Sequence, residues 1–398
     1  MIEQWAMELG RAVVKLFLHP LLYVSIIAVL FTGYFRIRRE RKDFHVRVYD
    51  MYQELRNLLP LGLGLGMIFS VIIIGTGLAI PFSAIVLIGF VTMILLLFTS
   101  FRLLSPAYSV GISYLILSIM DYFEWEFSFL NITVSGLDLE ELLPLTLLIG
   151  LLILVEGLFI LINSAKKTSP TFIKSPRGLT VGAHVSRRLW LLPLFILIPG
   201  DALSLPFQWW PVLSVGDQTF SILLVPFLIG FHQKVQSMLP KRAIGQMGKK
   251  VIWLGGLVTI FAASGYFAAI LSVVSVLTAI IGREWITMKQ RTAEENRPYL
   301  FSPQEKGVRV LGIIPLSPAD KMGLVIGEII EKVNGIVVRD ERTFYEALQK
   351  NRAYCKLEVL DVNQQIRFVQ GALYEGDHHE LGILFPVDDA RWNLEQRA

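Results

Sequence analysis

Long apolar runs broken by short charged segments fill the first 282 residues of the chain. A helix needs about 20 predominantly apolar residues to cross the hydrocarbon core of a bilayer. The runs predict spans at Leu18–Tyr34, Leu58–Ile80, Phe82–Ser100, Leu103–Met120, Leu142–Ile162, Trp190–Leu205 and Phe220–Phe231. The run Val251–Ile281 is too long for one untilted span, and a helical hairpin turning near Ser264–Gly265 accounts for it. Residues 1–282 therefore read as a multi-span region of about eight or nine helices. A linker follows over 283–305.

From residue 306 the pattern shortens and alternates. Val308–Ile314 is β-rich, and Ser317-Pro318 is an N-cap followed by a proline at the first helical position. Gly323 closes that one-turn helix, "EIIEKV" is a short strand, and Asn334-Gly335 marks a tight turn. Asp340 caps a helix from Glu341 to about Lys350. Cys355, Leu357 and Val359 then alternate with Lys356 and Glu358, and "DVNQ" turns the chain into a strand where Ile366 and Phe368 share a face. The fold class is an α-helical polytopic membrane bundle followed by a small α+β domain, a partly closed β-sheet with two helices. That domain covers 306–390, and a tail covers 391–398.

Charge assigns the sides. Only 18% of residues are charged, against about 25% in ordinary soluble chains, so the deficit itself points to membrane. The segments 36–56, 163–189 and 232–250 are rich in Lys and Arg, whereas 121–141 carries six acids and no base. Basic loops lie inside by the positive-inside rule, so the N-terminus lies outside or is barely inserted. Lys249 and Lys250 before the last run, with Arg283, Lys289 and Arg291 after it, place the C-terminal domain inside. Trp209 and Trp210 suit an interface on the other side. The first apolar run is followed by Arg and Lys with no small-residue cleavage site, and so reads as a retained span. The single cysteine, Cys355, excludes an intramolecular disulfide and fits a reducing compartment.

No catalytic set is complete. The six histidines never take the H-E-x-x-H spacing of an intramembrane metalloprotease, and Ser264-Gly265 has no intramembrane histidine to act as its base. No catalytic, metal-binding or cofactor-binding residue is assigned, no cofactor is implied, and no nucleic-acid partner is expected. Glu156, inside "LLILVEGLFIL", is an acid at membrane depth and raises a transporter reading. No partner for it is evident in a nearby span. A structural hydrogen bond to another helix is the favoured reading, and Glu156→Gln is then expected to keep most function. Gly62 and Gly66 have the small-xxx-small spacing that lets helices approach closely.

The stretch "GVRVLGIIPLSPADKMGLVIGEIIEKVNGIVVRDERTFYEAL" resembles a bacterial PDZ domain, and "ELGILF" at Glu380–Phe385 resembles its carboxylate-binding loop in a circularly permuted position. That resemblance implies a peptide site at Leu381, Gly382 and Ile383. Phe344 and Leu348 on the longer helix form its other wall or belong to the core. A multi-span bundle with one such domain and no catalytic set resembles the MinJ family of Gram-positive rods. The resemblance implies a non-enzymatic membrane adaptor at septum and poles, bridging a DivIVA-like polar protein and a MinD-like ATPase. Other division membrane proteins and the lipid bilayer are the further partners implied. A PDZ-containing intramembrane protease, or a regulator of one, is the alternative.

Overall fold

The computed structural model describes residues 2–98, 100–129, 132–203, 219–304, 306–351, 354–373 and 381–386. Trp209, Trp210, Glu380 and the 391–398 tail lie outside the described residues.

The chain begins with an amphipathic helix, α1 (Ile2–Leu16), followed by α2 (Pro20–Phe44), α3 (Gln53–Leu58), α4 (Pro60–Thr76), α5 (Phe82–Leu97) and α6 (Pro106–Tyr122). A small hairpin, β1 (Glu126–Phe129) and β2 (Ile132–Ser135), carries part of the acidic segment. Then come α7 (Leu143–Phe159), β3 (Ser169–Lys174), β4 (Thr180–Leu203), β5 (Phe220–Val235), α8 (Pro240–Ser264) and α9 (Ile270–Glu295). Proline opens α2, α4, α6 and α8, where its missing N–H costs nothing and its fixed φ suits a first turn. Among the described residues, five helical stretches are long and apolar enough to cross a membrane: Pro20–Phe44, Gln53–Thr76, Leu143–Ser164, Pro240–Ser264 and Ile270–Glu295. The helical membrane bundle is thus present, with α7 its most buried member.

Glycines let α7 lie against α8. A Cβ on Gly150 would press on Thr259, and one on Gly157 on Ile252; from the other side, Gly248 faces Leu161 and Gly255 faces Leu154. The hairpin expected near Ser264–Gly265 is there, with α8 ending at Ser264 and α9 starting at Ile270. However, α9 continues to Glu295, so residues 283–295 are helix and not linker.

Two expected helical spans are strands. Trp190–Leu205 falls largely in β4 and Phe220–Phe231 in β5, and the two pair antiparallel from His184↔Val235 to Pro199↔Phe220. An open sheet edge cannot face lipid, because its N–H and C=O groups would have no partner. Protein covers this one. Leu189–Leu197 is buried throughout except at Phe195, which is half-buried. The outward groups of β4 meet α4 in sequence: the Leu191 carbonyl faces Gly62, the Pro193 carbonyl faces Gly66, and the Phe195 N–H donates to Ser70 Oγ at 2.9 Å. Beyond α4, the Ile80 N–H donates to the Leu197 carbonyl at 2.8 Å. The small-residue spacing of α4 therefore serves a strand and not a second helix.

The C-terminal domain comprises β6 (Val308–Arg309), β7 (Gly312–Ile313), α10 (Pro318–Lys321), β8 (Ile329–Val333), β9 (Ile336–Val337), α11 (Glu341–Gln349), β10 (Tyr354–Leu360), β11 (Ile366–Ala372) and β12 (Ile383–Leu384). One sheet runs β11-β10-β8-β6 with β9 beside β8, and β12 pairs with β7 alone. The small α+β domain with two helices is as expected. Asp340 caps α11 in a reciprocal box with Thr343, whose hydrogen bonds hold the Asp340 carboxyl below the usual carboxylate range. Its apolar core gathers Val310, Leu324, Ile330, Val333, Leu357 and Val359 around α11, and burial there pushes the Cys355 thiol up to about 12.

Candidate functional site

Sequence reasoning assigns Leu381, Gly382, Ile383, Phe344 and Leu348 to a peptide site, and the structure brings them together. Leu381, Ile383, Phe344 and Leu348 share one buried cluster, in which the Phe344 ring meets Phe385 edge-on at 5.0 Å. Phe344, Leu348 and Leu381 have no exposed surface. They form the floor beneath α11 and β12, not open walls. Gly382 has φ +79, a left-handed conformation, and a Cβ there would collide with the Ser317 side chain at the start of α10. Glycine is thus demanded by the fold itself at this point.

What the site presents is backbone. The Gly382 carbonyl accepts from the Ile314 N–H at 2.8 Å and the Leu384 carbonyl from the Leu311 N–H at 2.9 Å. Antiparallel pairing alternates direction residue by residue. The Ile383 N–H and C=O therefore point to the opposite edge of β12, where no strand lies among the described residues. Ile383 is only 5% exposed, so a strand could add along this edge only once its cover is moved.

The other side of the same region is docked on the bundle. His184 Nε2–H donates to the Leu311 carbonyl at 2.8 Å, and its Nδ1 accepts from the Thr168 hydroxyl at 3.0 Å. Burial lowers the His184 pKa to about 4, so the ring is neutral. The Gly182 N–H donates to the Phe301 carbonyl, Gly312 abuts Pro170, and Leu384 packs with Val48 and Tyr49. The sequence reading left His184 inside a basic segment and did not mark it as a contact.

Glu156 has a partner that the sequence reading placed in the linker. Arg283 donates to Glu156 Oε1 through Nε at 3.0 Å and Nη2 at 2.8 Å, and the Ser105 hydroxyl donates to Oε2. Both members of the pair are fully buried. A carboxylate bound on both oxygens in this way is a tie between α7, α9 and the start of α6. The expectation that it stands alone is overturned, while the favoured reading of a structural bond to another helix agrees with this pair.

These features define a membrane-embedded helical bundle, threaded by a β-hairpin, that holds a small α+β domain against one end. No protein-family model matches the chain. It is 42% identical over 389 residues to the cell division topological determinant MinJ of Bacillus subtilis (strain 168), covering 98% of each chain. It is 25% identical over 388 residues to a probable cell division topological determinant MinJ of Lacticaseibacillus paracasei, covering 95% of this chain and 99% of that one. The chain belongs to the MinJ family of cell division topological determinants.

Proposed function

We propose that the chain is a non-enzymatic adaptor that holds division-site regulators at the inner face of the membrane, at septum and poles. Its C-terminal domain is read as a PDZ domain facing the cytoplasm. Partners join it by adding a strand along β12, and the bridge runs from a DivIVA-like polar protein to a MinD-like ATPase. The observation that carries this is the edge of β12 at Ile383 beside α11, which pairs with no strand among the described residues. The orientation draws support from charge. The basic ends of α2, β3–β4, α8 and α9 meet at one end of the bundle, linked by Arg39–Ser169, Thr171–Asp43 and Lys250–Gln290, and the C-terminal domain docks there.

Hydrogen exchange on the full chain in nanodiscs tests the binding mode. Adding a DivIVA-like or MinD-like partner should slow exchange at Ile383, because strand addition gives its N–H an acceptor. Unchanged exchange there, with partner bound, would move recognition to the basic loops. Reporter fusions after Ala293 test orientation, with high alkaline phosphatase activity overturning it. In cells, removing the chain from Arg297 onward should misplace partners and lengthen cells while the spans still insert.

A further inference from the structure

The end of α2, with α3 and the starts of β3 and β4, encloses a cavity of about 340 Å³. Arg36, Arg39, Lys167, Arg187 and Arg188 line it, against Glu54 as the lining carboxylate. Glu54 is already committed on both oxygens, to Arg36 Nη1 and Arg188 Nη1, each at 2.6 Å. Two carboxylates stand behind the lining. Glu40 accepts from the Ser169 hydroxyl and the Val48 N–H, and Asp43 accepts from the Thr171 hydroxyl. Even with these counted, five cations face three carboxylates among the described residues, one of the five, Arg187, also lying over the Phe101 ring at 4.1 Å.

Several of the cations lean on neutral groups. Arg39 Nη2 donates to Ser169 Oγ at 2.8 Å, and Lys167 Nζ to Gln53 Oε1 at 2.9 Å. The Nε–H groups of Arg36 and Arg188, side chains only 7% and 2% exposed, have no hydrogen-bond partner. Arg36 and Arg188 are matched by Glu54 and by Glu40, which lies 3.7 Å from Arg36 Nε, so the cationic surplus rests on half-buried Arg39 and Arg187 and on exposed Lys167. Planar Arg donors there match phosphate oxygens.

Position narrows the source. Arg36 follows the last apolar stretch of α2, so the cavity sits at the depth where headgroups lie. At its mouth, Phe35 is exposed and continues an apolar face with Phe31, while Lys167 is exposed beside it. A polar, cationic floor opening onto an apolar helix face suits a molecule with a phosphate head and hydrocarbon tails. We propose that this cavity binds the phosphate group of an anionic phospholipid, with its acyl chains along Phe31 and Phe35.

The test titrates the full chain in neutral detergent and follows thermal unfolding. Dihexanoylphosphatidylglycerol should raise the Tm saturably, and dihexanoylphosphatidylcholine should not. Arg39→Gln combined with Lys167→Gln should weaken the apparent affinity about tenfold or more. Lys167→Gln alone, at an exposed position, should give a smaller loss in the same direction. Arg177→Gln, on the exposed turn between β3 and β4, should change nothing. A saturable shift with inorganic phosphate alone, and none with the lipid, would keep the phosphate site and remove the lipid as its source. No shift with either probe, or equal affinity in wild type and the double variant, would overturn the proposal.

Discussion

The pair Glu156–Arg283 illustrates what a single residue can hide. In the sequence Arg283 marks where an apolar run stops, and it reads as the first residue of a linker. In the structure it belongs to α9 and turns inward, toward the carboxylate. Periodicity reports where a helix is apolar, not which charged side chain will fold back into it. Glu156→Gln therefore leaves a buried guanidinium short of its counter-charge, and should cost about 3–5 kcal/mol. Arg283→Met alone should cost a similar amount by stranding the carboxylate. Glu156→Leu with Arg283→Met should recover most of the loss, since an apolar pair needs no solvation. Thermal unfolding of the three variants in detergent checks this. A Glu156→Gln protein as stable as wild type would mean that the pair contributes nothing.

At the scale of elements, α4 and β4 fit because their repeats nearly coincide. Four helical residues rise about 6.0 Å and two strand residues about 6.6 Å. Gly62, Gly66 and Ser70 thus meet Leu191, Pro193 and Phe195 in turn. Gly66→Leu should separate the two and sharply lower the yield of folded protein. Gly64→Leu, on the exposed face of α4 with open space around it, should be tolerated. Comparing the two by size-exclusion profile after extraction decides it, and equal yields would sink the packing argument. The small-residue signal was legible, but its target was not. The strands themselves left two traces in the sequence. Phe220–Phe231 is too short for a helical span and long enough for a strand, and Pro193 and Pro226 interrupt both runs where a helix would kink. Apolar runs buried on every side lose the alternation that normally distinguishes strand from helix, so hydrophobicity alone read them as helices.

For the whole molecule, the order of apolar runs and the grouping of basic segments at one end were legible, because a strand crossing in place of a helix crossing leaves the sides unchanged. The contact between bundle and C-terminal domain was not, since it rests on single residues such as His184. That contact should be acid-sensitive. The His184 pKa is about 4 when docked and about 6.5 when freed to solvent, so the freed state takes up a proton that the docked state refuses. Docking strength is complete above pH 6.5 and declines as pH falls toward 4, by about 3 kcal/mol in all. Proteolytic release of the domain should rise over that window in wild type and stay flat in His184→Gln; identical profiles would remove His184 from the interface. Mechanically, β4 is a strut. Its 24 residues, at about 3.3 Å each, extend to more than twice the hydrocarbon thickness of about 30 Å. One end of it packs with α1 through Leu197 and Leu203, and near the other Gly182 and His184 hold Phe301 and Leu311. The contacts with α1 and with the C-terminal domain thus sit on one backbone, interrupted by a register shift between Pro199 and Leu203.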